Sequence, residues 1–486
     1  MRDSGTELAS PTVNSGLSVL AWSGLESACR QILSLLFFLG TLRFLSPSDL
    51  GVFSLGLAFM GIFAIVIDEP IGEALVQKHI ATISDWNTGY TINLVIAALC
   101  LGLAIIAGPM IAILLQQPLL MGIIPALAVS SAVGAVGNIH KSFLSRSLNF
   151  RTIAQIALIA QLLAGAAGIA AAAAGLGYWA LVLNVLGSAM VTSLAYRFFT
   201  PWKPKAAIDP DTIASRWQYV GYSIAIRAIY LLRDQSLFVV AGALGDLATV
   251  GYLTLAMRVA RALGQLFEEV TSRPLISLIS RRQNDLLRFA DVLQSVLLTV
   301  GLLAFPGFIG LAELGTPMIS NLVGPHWAPA GRFLPWICGG LAGWLLLHVV
   351  SAALRARGLG RLALSLTAPV VIADVAIFSS ASWIGLDWAM TIWVCRTLFG
   401  LPVLISILSY RLGVTARTLA QIWSAPLSAS ILMALFLHWF AGSRLSAMGL
   451  LGVILIGAIV YGVALYALLP RSMRTKIVLW GHIDDE

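Results

Sequence analysis

Residues 227–269 place charged side chains inside two apolar stretches that are each long enough to cross a membrane, joined by a short turn at 244–246. A charge at the centre of a bilayer costs about 2.5–3.5 kcal/mol on insertion scales, so a helix that faces lipid should carry none. The pattern therefore predicts two helices that line a watery, positively biased cavity. The charged residues are Arg227, Arg233, Asp234, Arg258 and Arg261.

The second of these stretches has its polar residues at helical spacing. Steps of four, three, four and three residues bring side chains to one face of a helix. The predicted polar stripe consists of Thr254, Arg258, Arg261, Gln265 and Glu268.

Arginines within predicted membrane helices outnumber the acidic residues beside them. Any one of them could snorkel to the interface or pair locally, as Arg30 could with Glu26. Together they leave a surplus of guanidinium groups, whose planar fork suits phosphate oxygens. We therefore predict an anion-binding cavity, with the hydroxyl of Ser34 suited to sugars. The predicted binding residues are Arg30, Arg227, Arg233, Arg258, Arg261, Arg396, Gln265, Thr254 and Ser34.

Several carboxylates could couple transport to a cation. One group surrounds Pro70, which breaks the second helix, and carboxylates at a broken helix are a transporter device. The same group could equally mark the point where a helix leaves the membrane. Asp374 lies deeper in its helix and is the better candidate. The full set is Asp68, Glu69, Glu73, Asp234 and Asp374.

Composition excludes a soluble protein. Of the 486 residues, 59% are hydrophobic and 11% are charged, whereas soluble domains carry about 25% charged residues. The net charge of +8 is assigned to membrane-flanking loops, and no nucleic-acid partner is expected. The fold class predicted is an all-α polytopic membrane protein of about 14 transmembrane helices. The predicted spans are 17–42, 50–67, 87–108, 119–138, 152–174, 178–199, 214–243, 247–270, 290–312, 330–354, 362–384, 387–410, 417–440 and 446–469.

Short matches about 200–210 residues apart indicate an internal duplication. GVFSL at 51–55 matches GYLTL at 251–255, Arg151 matches Arg361, and Trp179 matches Trp388. The prediction is two pseudo-symmetric six-helix bundles plus two C-terminal helices. Its segments are an N-terminal bundle at 1–199, a cytoplasmic linker at 200–213, a C-terminal bundle at 214–410, two additional helices at 411–470 and a cytoplasmic tail at 471–486.

The distribution of basic residues predicts the orientation. Outer loops hold only Arg43, Arg332 and Arg444 if the N-terminus is cytoplasmic, and most of the 30 lysines and arginines then lie inside. The positive-inside rule therefore places both termini in the cytoplasm. Trp327, Trp383 and Trp388, near predicted outer ends, are expected to be interfacial anchors.

The sequence contains no nucleophile elbow, no phosphate-binding glycine loop before Lys-Ser/Thr and no histidine–glutamate zinc pattern. The histidines and the four cysteines have no ligand spacing, and packing is the expected role of both. We therefore expect no catalytic residue, no metal and no cofactor.

Five motifs, in order and at matching separations, resemble the Wzx-like polysaccharide flippases of the multidrug/oligosaccharidyl-lipid/polysaccharide superfamily. This resemblance is strong over residues 15–365. It implies a flippase that moves polyprenyl-pyrophosphate-linked oligosaccharide across the bacterial inner membrane by alternating access. The motifs are LSPSDLG at 45–51, ALVQK at 74–78, GYWAL at 177–181, PWKP at 201–204 and LVGPHWAPA at 322–330.

One position departs from the family pattern. The family's seventh helix carries Arg-Asn-Leu-Asp before a Leu-Gly turn, whereas here Asp234 directly follows Arg233. A shift of two residues is about 200° around a helix, so any coupling role of this acid is in doubt.

Two alternatives remain open: a cation-coupled multidrug exporter of the same superfamily, and a membrane polysaccharide polymerase or ligase. Six arginines argue against a cavity for cationic drugs, and a polymerase should have a large outer loop carrying Arg or His. The partners implied are the lipid-linked substrate, membrane lipid and polysaccharide polymerase or export proteins. The last two helices could dock such proteins or hold the prenyl tail.

Overall fold

The computed structural model describes residues 31–67, 70–78, 81–244, 246–280, 286–441 and 446–469. These residues form helices and loops, without a strand among them. Eleven of the described helices are long and apolar enough to cross a membrane, so the protein is an all-α multi-pass membrane protein. The helices are α1 (Gln31–Leu42), α2 (Pro47–Ile67), α3 (Pro70–Val76), α4 (Ile83–Leu114), α5 (Leu120–Arg146), α6 (Phe150–Ala173), α7 (Trp179–Phe199), α8 (Pro210–Ala243), α9 (Leu247–Ser280), α10 (Leu286–Leu322), a 3-10 helix (Pro325–Phe333), α11 (Leu334–Ala356), α12 (Gly360–Ile384), α13 (Leu386–Leu412), α14 (Ala416–Ala441) and α15 (Ala447–Leu468).

Each of the 14 predicted spans coincides with a helix, but α1, α8 and α9 are not among the eleven apolar spans. The description of α1 begins only at Gln31, within the predicted first span. Arginines interrupt the apolar sequence of α8 and α9. The two helices least suited to lipid are therefore those predicted to line the cavity.

Backbone contacts divide the chain into two compact units. The first contains α1, most of α4 and α5, all of α6 and α7, and the chain as far as Ala225. The second contains Leu42–Phe59, Pro109–Met121 and the chain from Ile226 onward. The first half of α2 thus packs with the helices of the second sequence repeat.

In the first unit, the predicted linker is fixed against α4. Residues 200–209 are not helical, and α8 begins at Pro210. The Trp202 indole donates to Asn87 Oδ1 at 3.2 Å, and the Lys205 amide donates to the same oxygen at 3.0 Å. The amide of Asp209 donates to Thr88 Oγ1. Side chains of α4 thereby replace the hydrogen bonds that this extended backbone lacks.

Paired features of the two repeats support the predicted duplication. A Cβ atom on Gly51 would collide with the carbonyl of Leu247, and one on Gly251 would collide with the carbonyl of Pro47. Each glycine therefore permits the start of α2 to cross the start of α9 in backbone contact. The contacts are reciprocal, as expected for two copies of one motif.

The turns after α5 and α11 are a second matched pair. The Asn149 amide donates to Leu144 O at 3.0 Å, and the Leu359 amide donates to Leu354 O at 2.9 Å. Both turns need a left-handed residue, which is Leu148 (φ 56°) in the first copy and Gly358 (φ 72°) in the second. The two segments therefore share a backbone conformation despite different sequences.

The second unit also shows that one predicted role is wrong. Trp327 is fully buried and donates its indole N–H to Leu42 O at 3.0 Å. It is therefore a packing residue and not an interfacial anchor. Trp383 and Trp388 are 89% and 67% exposed, as an anchor requires.

The two additional helices pack on α10. Pro306 has no amide hydrogen to donate to Leu302 O, four residues earlier, and the Tyr461 hydroxyl donates to that oxygen at 2.8 Å. The Trp423 indole donates to Leu297 O at 2.9 Å. Polar side chains of α14 and α15 thus satisfy carbonyl groups of α10 around its proline.

Candidate functional site

A buried ion pair joins α8 to α12 in the second unit. Arg233 Nε lies 2.8 Å from Asp374 Oδ2, and the side chain of Asp374 is fully buried. Arg233 is itself buried, with 8% of its surface exposed. A lone buried carboxylate would be far too costly in an apolar interior, so this pairing is what allows Asp374 to lie inside the helix bundle.

A second guanidinium reaches the same carboxylate from α13. Arg396 Nε lies 2.9 Å from Asp374 Oδ1, although the geometry is not that of an aligned hydrogen bond. Arg396 also donates from Nη2 to Thr397 Oγ1 at 3.2 Å. Asp374 is therefore held between two arginines, one on each side.

Asp234 connects this pair to α9. Its Oδ1 lies 3.3 Å from Arg233 Nη1 and 3.1 Å from Arg261 Nη2. Asp234 and Arg261 are about one third exposed, whereas the Asp374 end is closed. Five side chains from four helices therefore form one series of ion pairs, which we call the Arg–Asp chain: Arg261, Asp234, Arg233, Asp374 and Arg396.

The Arg–Asp chain carries more positive than negative charge. It contains three arginines and two aspartates, and two further arginines, Arg227 and Arg258, lie on α8 and α9. Among the described side chains in the central parts of α8, α9, α12 and α13, five are arginines and two are aspartates. Within the Arg–Asp chain three guanidinium groups meet two carboxylates, and this net positive charge favours an anionic ligand.

The polar stripe of α9 lies on a face that is less buried than the rest of the helix. Arg258 and Gln265 are exposed and Thr254 is half-buried, whereas Leu253 and Leu255 are fully buried. The Thr254 hydroxyl donates to Val250 O within its own helix at 2.8 Å. The sequence periodicity thus identified the accessible face of α9.

Two aromatic residues beside the Arg–Asp chain escaped the sequence analysis. The guanidinium of Arg233 lies over the ring of Trp344, 3.7 Å from its centroid. Tyr230 meets the same ring edge-on, at 6.2 Å between centroids. Tyr230 could have been found because it lies three residues after Arg227, whereas nothing in the apolar sequence around Trp344 points to Arg233.

The remaining predicted residues are not members of the Arg–Asp chain. Arg227 is half-buried on α8. Ser34 on α1 and Glu73 on α3 are also half-buried, and both belong to the first compact unit. Arg30, Asp68 and Glu69 lie outside the described residues, as does the side chain of Glu268. Of the acidic coupling candidates, the structure shows ion pairs with arginine for Asp234 and Asp374.

Metal-binding clusters are absent from the part of the chain that the structure describes, where no three His, Cys, Asp or Glu side chains could hold an ion together. Cys100, Cys338 and Cys395 are free thiols in that same part.

Comparison with known proteins identifies relatives over most of the chain. A family model described as a polysaccharide biosynthesis protein matches residues 42–332. The succinoglycan biosynthesis transport protein ExoT of Rhizobium meliloti (strain 1021) is 24% identical over 372 residues, which are 72% of this chain and 74% of that protein. The teichuronic acid biosynthesis protein TuaB of Bacillus subtilis (strain 168) is 20% identical, over 65% of each chain. The lipopolysaccharide biosynthesis protein WzxC of Escherichia coli (strain K12) is 21% identical, over 66% of each.

Solved structures with the same fold are also transporters. The lipid II flippase MurJ, in an inward closed conformation, superposes with a TM-score of 0.73 at 15% identity, covering 91% of this chain and 98% of its own. An inward-facing multidrug resistance MATE family transporter of the MOP superfamily gives a TM-score of 0.57 at 15% identity, covering 78% and 96%. At this level of identity the likeness establishes the fold.

Proposed function

The chain belongs to the polysaccharide biosynthesis protein family, and from that premise we propose that it is a flippase for polyprenyl-pyrophosphate-linked oligosaccharide. It moves this substrate from the inner to the outer leaflet of a bacterial inner membrane, with both termini in the cytoplasm. The six-helix bundles at 1–199 and 214–410 expose the binding site to each side in turn. The protein performs no bond chemistry and uses no cofactor.

The observation that carries the proposal is the net positive charge of the Arg–Asp chain, in which three guanidinium groups meet two carboxylates. A pyrophosphate presents oxygens that accept bidentate hydrogen bonds from arginine. Arg258 is exposed and the side chain of Arg261 is 35% exposed, so these two are the contacts to the pyrophosphate. Arg233 and Arg396, which hold Asp374, position the helices that carry them.

The same geometry supports transport that is driven by the membrane potential. Asp234 and Asp374 both pair with arginine, which leaves these carboxylates poorly suited to bind a coupling cation. Each negative charge moved outward gains about 2.3 kcal/mol per 100 mV of inside-negative potential. A pyrophosphate with about two negative charges therefore gains about twice this free energy, and the membrane potential alone can drive its transport outward.

Two other functions fit the structure less well. A cation-coupled exporter of cationic drugs should have an acidic or aromatic cavity, whereas the Arg–Asp chain carries a net positive charge. A polymerase or ligase should have a large outer loop. The segment between the predicted spans 290–312 and 330–354 is the longest predicted outer segment, and it is mostly helical, because α10 continues to Leu322 and the 3-10 helix begins at Pro325.

The proposal is tested by complementation of a flippase-deficient strain whose lipid-linked repeat unit begins with the matching sugar. Arg258→Ala and Arg261→Ala should each abolish surface polymer at wild-type levels of membrane expression. Arg361→Ala is the matched control, because Arg361 is an exposed arginine at the start of α12 and should restore polymer fully. Full complementation by both cavity variants would reject the cationic site.

The driving force is tested in proteoliposomes with a potassium diffusion potential. Transport of a fluorescent polyprenyl-pyrophosphoryl sugar should rise with the imposed potential and should not change when sodium or proton gradients are removed. Transport that follows a cation gradient at zero potential would contradict this part of the proposal.

A further inference from the structure

Tyr230 lies on the face of α8 that carries Arg227 and Asp234. At 100° per residue, Arg227, Tyr230 and Asp234 fall within about 60° of one another. The exposed apolar residues Ile229 and Leu232 lie about 100° and 160° from Tyr230 around the helix. Tyr230 is 38% exposed, so its exposure belongs to the face that carries the charged groups.

The ring of Tyr230 is held in place from one side. It meets Trp344 edge-on, with the two ring planes at 81°. Trp344 is in turn covered by the guanidinium of Arg233. The contact orders the phenol ring and leaves more than a third of the residue open, whereas an aromatic residue that served only to fill the interior would be enclosed.

A flat ring beside guanidinium groups matches the chemistry of a sugar joined to a pyrophosphate. A pyranose has an apolar face of C–H groups that packs on an aromatic ring, and hydroxyls at its edge that need polar partners. Four residues, a rise of about 6 Å along the helix, separate Tyr230 from Asp234, whose partly exposed carboxylate can accept from a hydroxyl. The first sugar of the substrate is bonded directly to the pyrophosphate, so it must lie next to the arginines.

We propose that Tyr230 is the stacking platform for the first pyranose ring of the lipid-linked substrate, beside the pyrophosphate subsite formed by Arg258 and Arg261. This inference rests on the proposed function. It assigns the recognition of the sugar ring and of the pyrophosphate to different residues, and the two contributions can therefore be separated experimentally.

The experiment measures binding to the full-length protein in nanodiscs with three probes: undecaprenyl pyrophosphate, undecaprenyl-pyrophosphoryl glucose and undecaprenyl-pyrophosphoryl galactose. Wild type should bind at least one glycosylated lipid more tightly than the sugar-free lipid. Tyr230→Ala should weaken that binding about fivefold to tenfold, in line with the loss of one aromatic stacking contact. It should leave binding of the sugar-free lipid within about twofold of wild type, which also reports that the variant is folded.

Two control variants sharpen the measurement. Tyr230→Phe keeps the ring and should retain the preference for the glycosylated lipid. Tyr410→Ala removes an 87% exposed tyrosine on α13 and should change nothing. The stacking role of Tyr230 would be contradicted if Tyr230→Ala weakened the binding of all three lipids equally, or if it did not weaken the binding of the glycosylated lipids. If wild type binds the three lipids equally, the platform fails while the proposed flippase stands; if wild type binds none of them, both fail.

Discussion

The pair α6–α7 of the first repeat and the pair α12–α13 of the second have different side chains at matching positions. Arg151 and Arg361 are 210 residues apart, and the same offset places Ala164 at the position of Asp374. Trp179 and Trp388 are 209 residues apart, and this offset places Gly187 at the position of Arg396. A Cβ atom on Gly187 would lie 3.7 Å from the Cβ of Ala164. Asp374 and Arg396 instead meet as an ion pair at 2.9 Å.

The difference shows how a duplicated helix pair can be used in two ways. In α6–α7, small residues let the helices approach closely, and the amide of Asn184 donates to Ala164 O at 3.0 Å. In α12–α13, the same place holds a carboxylate and a guanidinium that require each other and Arg233. Close packing of small residues stabilises the pair α6–α7, whereas an ion pair stabilises the pair α12–α13.

Asp374→Asn should have the largest effect, because it leaves the guanidinium groups of Arg233 and Arg396 without their shared counter-charge. Breaking a buried ion pair from one side costs about 3–5 kcal/mol, so we expect a large loss of thermal stability in detergent and loss of complementation. The control is Ser382→Ala on α12, an exposed serine that donates within its own helix. A stable, fully active Asp374→Asn protein would show that the carboxylate charge is dispensable.

Ala164→Asp tests the comparison from the other side, because it places the second repeat's carboxylate in the first. No arginine stands at position 187 to receive it, and an unpaired acid in a membrane helix costs about 2.5–3.5 kcal/mol. We expect reduced membrane insertion and a lower melting temperature. Wild-type expression and stability would mean that α6–α7 tolerates an unpaired carboxylate at position 164. A paired arginine would then not be required at this position, contrary to the comparison.

Asp374→Ala combined with Arg396→Ala should be less damaging than the two single effects added together. Removing both charges avoids leaving Arg396 without its carboxylate, and Arg233 keeps Asp234 as a partner, so a double-mutant cycle should give a coupling energy of at least about 1 kcal/mol. Stability should recover in part while transport stays lost, since the helices would again be neutral as in α6–α7. Additive losses of stability would show that the 2.9 Å contact contributes little.

Gly187→Ala should have the smallest effect. The added methyl would make an ordinary van der Waals contact with Ala164, and alanine favours a helix over glycine by up to about 1 kcal/mol. We expect unchanged complementation and an equal or slightly higher melting temperature. Gly51→Ala is the contrasting variant, because its methyl would collide with the backbone of Leu247 and should lower stability. A destabilised Gly187→Ala would indicate tighter packing in α6–α7 than the comparison assumes.

Much of the fold could be predicted from the sequence, because hydropathy and length alone identify membrane helices. The described parts of the 14 predicted spans coincide with helices, and the period of 3.6 residues correctly identified the accessible stripe of α9. The ends were less accurate: α10 was predicted at 290–312 but extends to Leu322. Pro306 and Pro317 do not end it, since other groups can accept or donate where a proline removes a hydrogen bond.

The candidate site was predicted only in part. Residue type and depth singled out Arg233, Asp234, Arg261, Asp374 and Arg396. Nothing in the sequence linked Trp344 to Arg233, because a tryptophan in an apolar helix is as compatible with lipid as with a cavity. Trp327 was misassigned for the same reason, since proximity to a helix end does not distinguish an interfacial indole from a buried one.

The sequence by itself determined the all-α multi-pass fold, the surplus of arginine at membrane depth, the polar face of α9 and the resemblance to polysaccharide flippases. The first three follow from composition and from periodicity within single helices, whereas the resemblance follows from the five sequence motifs. Only the tertiary structure decided which acid meets which base, because Arg233 and Asp374 are 141 residues apart and belong to helices whose packing no local pattern encodes. It places Asp374 between the guanidinium groups of Arg233 and Arg396, while a role of Asp374 in cation coupling stays a prediction.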